Sequence, residues 1–261
     1  MRERKKQESG RRFIRLICII VFIASSAGLA GYGVFSLCQD RAARKVQTAL
    51  QDVRKTGETA VPEETEANTE AAVPETESKT SEILSKYRSL YEINHDMVGW
   101  LTIEGTVIDY PMMQTMEDES YYLSVDFYGQ PNQNGCLVMD TDSVVGTGTK
   151  ADGYMDGEAP STNLIIHGHT MRSGDMFGDL DLYADEAYGK EHSRISFVFK
   201  YYKFFQADTQ EEFDDWYGHI KELSLYDTGV TAELGDEFIT LSCCAYHVED
   251  GRFVVVAKRT K

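Results

Sequence analysis

The residues best suited to covalent chemistry are two adjacent cysteines near the end of the chain. Cys243 and Cys244 end an apolar run, and Arg252 begins the next one. A thiol, whose reference pKa is about 8.5, becomes a strong nucleophile only when it is ionised, so it needs a base or a cation nearby. His169, after a third apolar run, can act as acid and base, and Arg252 can stabilise an oxyanion because it keeps its proton. These residue types together indicate nucleophilic catalysis by a thiol.

Each of these residues also has an ordinary structural interpretation. Cysteines are often simply buried, His169 fits an exposed turn, and Arg252 fits a surface position after a Glu-Asp-Gly turn. A cysteine with a distant histidine is a weak signal by itself, so both interpretations stay open at this point. His167 and His169 would face the same side of a strand, which makes a metal pair conceivable, but no third ligand has a suitable spacing. We therefore predict no metal and no cofactor.

The elements that must position these residues are mostly short strands. Three segments have a helical pattern, at 81–93, 174–184 and 209–223. Runs rich in β-formers, separated by Gly, Asp and Asn, predict strands at 98–103, 106–110, 135–140, 163–168, 194–199, 237–244 and 252–258. Many short strands with few helices predict a mainly β domain over 81–261, an antiparallel barrel or sandwich rather than a doubly wound sheet.

The N-terminal part predicts a membrane anchor. No charged residue occurs from Leu16 to Cys38, which is long enough for one transmembrane helix, and basic residues are concentrated before it. The positive-inside rule then gives a cytoplasmic tail at 1–12, an anchor at 13–38 and everything later outside the cell. A cleaved signal peptide is the alternative, since small residues lie within the run, but the run continues past them.

Charge and composition limit what the rest of the chain can do. The formal net charge is −17, and residues 81–261 carry 13 basic against 32 acidic side chains, which disfavours binding to nucleic acid. Five cysteines without regular spacing exclude a disulfide scaffold and the common zinc modules. The segment 56–80 is mostly Glu, Thr and Ala, so 39–80 is predicted to be an extended acidic stalk.

An ordered series of motifs over about 83–261 resembles the sortase family. The end of the chain, TLSCCAY at 240–246 and EDGRFVV at 249–255, is similar to the family's Thr-Leu-x-Thr-Cys…Arg segment, and NLIIHGHTMRSGDMFGDL at 163–180 is similar to its histidine segment. Three further strings are typical of class B sortases: GTVIDYP at 105–111, YYLSVDF at 121–127 and SLYDTG at 224–229. The order of these motifs is far more specific than any one of them.

The resemblance implies a closed sortase β-barrel and a role for each matched residue. Cys244 aligns with the nucleophile, His169 with the acid/base and Arg252 with the arginine of the oxyanion site. Ser242 and Tyr226 fall where substrate is bound. Two departures matter: Cys243 replaces the family's Thr, and near 197–198 the chain is shorter than expected, as if one or two strands of the barrel were missing.

The implied activity is that of a membrane-anchored cysteine transpeptidase with its catalytic domain outside the cell. It would cleave a C-terminal sorting signal of secreted proteins and transfer them to an amine of a peptidoglycan precursor or cross-bridge, with membrane lipid as its other partner. Two alternatives remain. The protein could be another extracellular Cys/His peptidase or amidase, or a sortase-like domain with impaired catalysis.

Overall fold

The structure is a computed structural model that describes residues 2–59, 85–145, 161–199, 207, 209–244 and 251–260. Its contacts divide the chain into two compact units, Met1–Arg44 and Lys45–Lys261. The predicted boundaries at 38/39 and 80/81 stay predictions. Most of the acidic part of the predicted stalk, from 60 to 80, lies outside the described residues.

The first unit is formed by the N-terminal part of helix α1 (Arg2–Thr59). This helix contains a candidate membrane span within Arg15–Gly57, long and apolar enough to cross a bilayer and unburied at its most apolar part. A signal sequence near the start of a chain has the same length and composition. The membrane anchor accordingly stays a prediction.

The second unit is built on one mixed sheet. Its strands are β1 (Met97–Ile103), β2 (Asp109–Met113), β3 (Leu137–Met139), β4 (Asn163–His167), β5 (Ile195–Phe199), β6 (Phe238–Cys244) and β7 (Arg252–Lys258). They lie in the order β5-β1-β2-β3-β4-β6-β7. The pairs β2–β3 and β4–β6 are parallel and the other neighbours are antiparallel.

Two expectations about the sheet are wrong. It is mixed rather than antiparallel, because β3 and β6 each return beside a strand that runs in the same direction. In the part of the chain that the structure describes it is also open rather than a closed barrel, with β5 and β7 at its edges. Residues 200–206 and 208, between β5 and the next helix, lie outside the described residues.

The described residues of this unit also form four α-helices and two 3-10 helices. They are the end of α1, α2 (Ser85–Ile93), a 3-10 helix at Tyr121–Leu123, a second at Leu180–Ala184, α3 (Glu186–Glu191) and α4 (Gln210–Leu223). The helix predicted at 174–184 is wrong over its first half, because Gly174 has a φ of +80°, which a right-handed helix does not contain. The strand predicted at 106–110 begins three residues later, because Thr106 lies in the turn after β1.

Helix α4 is positioned by its cap and by one aromatic face. The Thr209 side chain accepts a hydrogen bond from the Glu212 N–H, which satisfies a donor that the first turn leaves open. Phe213 is buried, and its ring and that of Trp216 pack against Phe238 at the start of β6. The helix therefore covers the beginning of the strand that ends in Cys244.

The end of helix α1 belongs to the packed core of the second unit. Leu50 is 1% exposed and shares a cluster with Leu90 and Trp100. The Arg54 guanidinium forms two hydrogen bonds with the Asp109 carboxylate, at 2.7 and 3.1 Å, and lies 4.6 Å above the Trp100 ring. An aliphatic contact, a bidentate ion pair and a cation–π contact thus fix this helical segment on β1 and β2.

Candidate active site

Cys244 and Arg252 lie opposite each other on neighbouring strands. They are register partners in the antiparallel pair β6–β7, so their side chains project from the same face of the sheet. Arg252 Nη1 donates to Cys244 Sγ at 3.7 Å. Cys244 is half-buried and Arg252 is exposed. A permanent positive charge therefore lies beside the sulfur, where it can stabilise an oxyanion formed there.

Cys243 points the other way, into the core. Successive strand residues alternate between faces, and Cys243 is 0% exposed in a cluster with Ile166 and Leu241. Burial raises the pKa of its thiol above the usual range, against a smaller opposing effect of a hydrogen bond with Thr170. Its thiol is therefore neutral at physiological pH. Of the two adjacent cysteines, the structure leaves Cys244 on the face that Arg252 shares.

His169 lies just beyond the end of β4, with its ring held by a backbone carbonyl. Its Nε2 is 2.8 Å from the Leu123 carbonyl oxygen, which only accepts, so Nε2 carries the proton and Nδ1 is left available. The Leu123 carbonyl belongs to the first 3-10 helix. This contact fixes both the tautomer and the orientation of the ring.

The residue before His169 must be a glycine for steric reasons. A Cβ at Gly168 would come within 2.5 Å of the Phe177 ring and 2.7 Å of a Leu137 methyl group. The Gly168 N–H continues the sheet by donating to the Ser242 carbonyl at 3.1 Å. Close packing at this point brings the histidine segment directly against the nucleophile strand.

The two predicted substrate-binding residues lie in different surroundings. Ser242 is buried, faces the same side of β6 as Cys244 and has His167 as its register partner on β4. Tyr226 instead has its phenol near the start of α3. Its pKa is raised by burial and by the carboxylates of Glu186 and Asp185. The described contacts of Tyr226 are thus with α3 and not with β6, and its role in binding stays a prediction.

His167 joins a different group of ligand atoms from the one its spacing suggested. Its partner is not His169: Nε2 of His167 is 3.1 Å from Asp140 Oδ2, and Glu119 brings a third ligand atom to within 4.8 Å of the other two. A set of one imidazole and two carboxylates is able to hold a divalent cation. The set lies one strand away from Ser242, on the face that carries Cys244.

Two residues that bear on the site have no signature in the sequence. The Thr170 hydroxyl donates to the Cys244 carbonyl at 2.9 Å. Tyr122, in the first 3-10 helix, donates to Asp96 and accepts from Asn94, both at 2.8 Å. Each contact joins segments far apart in the chain, and a lone Thr or Tyr in a loop gives no local signal for it. The proximity of Thr170 to His169 was the only available hint.

Comparison with known proteins places the chain among the class B sortases. No family model matches the sequence. Sortase B of Listeria monocytogenes is 30% identical over 203 residues, which cover 70% of this chain and 77% of that protein. Sortase B of Staphylococcus aureus is 27% identical over 196 residues, covering 67% of this chain and 75% of that protein.

Solved structures give the same result. A crystal structure of sortase B from Bacillus anthracis in complex with AAEK1 superposes with a TM-score of 0.61 at 25% identity, covering 82% of this chain and 96% of that one. A second B. anthracis structure, described as similar to sortase B, gives 0.60 at 26% identity, covering 83% and 98%. With a strand-end thiol beside an arginine, a fixed histidine nearby and these relatives, the chain belongs to the sortase B family and is a cysteine transpeptidase.

Proposed function

We propose that the protein cleaves a sorting signal of secreted proteins through a thioester on Cys244 and transfers the acyl group to a cell-wall amine. The observation that carries this assignment is the 3.7 Å contact between Arg252 Nη1 and Cys244 Sγ. It supports a nucleophile with a fixed cation at the place where negative charge develops during acyl transfer.

In the first half-reaction, the Cys244 thiolate attacks the carbonyl carbon of the scissile peptide bond. The carbonyl oxygen becomes an oxyanion, which the Arg252 guanidinium stabilises. The tetrahedral intermediate then collapses, the C–N bond breaks and protonated His169 gives its proton to the leaving amine. A thioester between the substrate and Cys244 remains.

In the second half-reaction an acceptor amine attacks the thioester carbonyl. Neutral His169 takes the proton that the attacking nitrogen loses, and the Cys244 thiolate leaves. His169, whose Nε2 is occupied by the Leu123 carbonyl, offers Nδ1 for both transfers. The net acidic charge of residues 81–261 favours an acceptor that is cationic before it loses its proton.

The test uses the full chain in detergent micelles with a library of internally quenched peptides and hydroxylamine as the amine acceptor. A transpeptidase gives a hydroxamate, whereas a peptidase or amidase gives the free acid even when the amine is present. Cys244→Ala is expected to abolish cleavage and the thioester adduct in mass spectra. Free acid alone at saturating hydroxylamine would favour the hydrolase alternative, and folded wild-type protein without any thioester would favour the impaired domain.

We further propose that the apolar part of α1 anchors the enzyme with its catalytic unit outside the cell. The excess of Lys and Arg before Leu16 supports this orientation. Protease added to intact cells is expected to release the catalytic unit and leave a small membrane fragment. A protected catalytic unit would contradict this orientation, and a mature protein that begins after the apolar run would favour a signal peptide.

A further inference from the structure

The histidine segment and the nucleophile strand are joined beyond the point where their backbone ladder ends. Strands β4 and β6 are parallel, and the ladder continues past His167 to the hydrogen bond from the Gly168 N–H to the Ser242 carbonyl. In a parallel ladder, acceptors on one strand recur at every second residue, so the next one on β6 is the Cys244 carbonyl. That carbonyl receives the Thr170 hydroxyl at 2.9 Å.

The chain turns away from the sheet at this point. Thr170 forms an antiparallel bridge with Met176, and the Phe177 N–H donates to the His169 carbonyl at 3.0 Å. The Thr170 side chain therefore supplies a link to β6 where the backbone of β4 has left the strand. Without that hydroxyl, the carbonyl of the nucleophile would lose a donor at the end of β6.

The Thr170 hydroxyl is close to both of the proposed reacting residues, His169 and Cys244. Thr170 follows His169 directly in the chain, and the carbonyl that it contacts belongs to Cys244 itself. The same side chain is also close to the Cys243 thiol, whose pKa it lowers against the larger effect of burial. One side chain thus touches both residues of the cysteine pair and is covalently adjacent to the acid/base.

We propose that Thr170 is a positioning residue that holds the Cys244 backbone in a fixed relation to His169. This inference rests on the proposed function, because it takes Cys244 and His169 as the reacting pair. Thr170 acts through the strand end, because the atom of Cys244 to which its hydroxyl donates is the backbone carbonyl oxygen. A misplacement of reacting groups by about 1 Å can cost up to about 10²-fold in rate, which leaves room for a large effect from one hydroxyl.

The test compares Thr170→Val, which removes the hydroxyl at nearly constant volume, with Thr170→Ser, which keeps it. Thr106→Val is the matched control: the Thr106 hydroxyl also donates to a backbone carbonyl at 2.9 Å, that of Ile103, and Thr106 is likewise half-buried, but it lies in the turn between β1 and β2. All variants are full chains in micelles, assayed with a cleaved peptide from the library and with hydroxylamine. Tm is measured for each of them.

We expect Thr170→Val to lower kcat about 10-fold with KM within about twofold, and Thr170→Ser to keep at least half of the wild-type kcat. Thr106→Val should lower Tm by a similar amount and leave kcat unchanged. The proposal is overturned if Thr170→Val and Thr106→Val have the same kcat, or if Thr170→Ser is as slow as Thr170→Val, which would assign the effect to packing of the methyl group.

Failure of the proposed function would look different from failure of this inference. If Cys244→Ala still cleaves the peptide, the assignment of the nucleophile is wrong whatever Thr170 does. If Cys244→Ala is inactive and Thr170→Val is fully active, the function stands and only the positioning role is lost.

Discussion

The positive charge of Arg252 beside Cys244 Sγ should contribute strongly to kcat. Arg252 offers a planar set of donors 3.7 Å from Cys244 Sγ, and a Lys keeps the charge but not that geometry. We expect Arg252→Ala and Arg252→Lys each to lower kcat by about 10²-fold, with a smaller change in KM. The reason is that the guanidinium interacts most strongly with the substrate carbonyl oxygen when that oxygen becomes an oxyanion. Steady-state kinetics on a cleaved peptide measure this. Because Arg252 is exposed, Tm should hardly change, and an unchanged kcat in Arg252→Ala would make it a surface residue only.

The two adjacent cysteines should react very differently. Since burial raises the pKa of the Cys243 thiol and removes it from solvent, iodoacetamide at pH 7 is expected to alkylate Cys244 and leave Cys243 unmodified. Peptide mapping by mass spectrometry gives the site. Cys243→Thr, which restores the residue that the family resemblance implies, should retain activity. Dominant labelling of Cys243 would reverse the assignment of the nucleophile.

At the level of single residues, the sequence predicts a site residue where that residue belongs to a recognisable motif. Cys244 and Arg252 are eight positions apart at the facing ends of two predicted strands, and the antiparallel pairing of β6 with β7 places them side by side. Thr170 and Leu123 could not be found in this way. Their contributions are a hydroxyl and a carbonyl that meet distant partners, and any residue has a carbonyl.

The first 3-10 helix is the element that holds the acid/base. Its Leu123 carbonyl contacts His169, and its Tyr122 is tied to Asn94 and Asp96 in the segment between α2 and β1. Two hydrogen bonds of the Tyr122 phenol thereby resist any shift of the carbonyl that orients the histidine. Burial and the contact with Asp96 raise the pKa of this phenol, so it stays protonated and able to donate.

Removing the hydroxyl of Tyr122 should lower kcat while the protein stays folded. We expect Tyr122→Phe to lower kcat about 3- to 10-fold and to destabilise the fold by about 0.5–1.5 kcal/mol, the net contribution of a typical hydrogen bond. Tyr121→Phe is the control, since Tyr121 lies in the same 3-10 helix but is 42% exposed. Equal kcat values for the two variants would show that the phenol of Tyr122 does not position His169.

Prediction of the elements succeeded where hydrophobic runs are continuous and failed where backbone geometry decides. Strands β4, β6 and β7 agree with the sequence to within one residue, because each has a short run of mostly apolar residues set between polar segments. The segment at 174–184 has a helical pattern of apolar residues, yet the positive φ of Gly174 restricts it to a short 3-10 helix. The open, mixed sheet follows from connections whose path no local pattern specifies.

At the scale of the whole molecule, the catalytic unit begins well before the region that the motifs cover. Leu50 is buried in the second unit and Arg54 is paired with Asp109 there. We expect Leu50→Ala to lower the free energy of unfolding by about 2–5 kcal/mol, as for other buried Leu residues, whereas Leu223→Ala, at a 67% exposed position, should change it by less than about 0.5 kcal/mol. Thermal or urea unfolding measures both.

Truncated chains test independently whether the second unit begins at Lys45. A chain that starts at Lys45 retains the helical segment, and one that starts at Ser81 lacks Leu50 and Arg54 and exposes Trp100 and Asp109. We expect the shorter chain to have a clearly lower Tm. Equal Tm values would mean that the helical segment adds nothing to the catalytic unit.

Helices α1 and α2 are in close contact, and this contact bears on the length of the acidic segment that joins them. A Cβ at Gly57 would come within 2.7 Å of the Lys86 carbonyl oxygen, so the chain leaves and re-enters the catalytic unit at one spot. Closing so long a loop costs free energy that grows only with the logarithm of its length. The segment 60–84 can therefore be shortened or lengthened with little effect on the stability of the second unit.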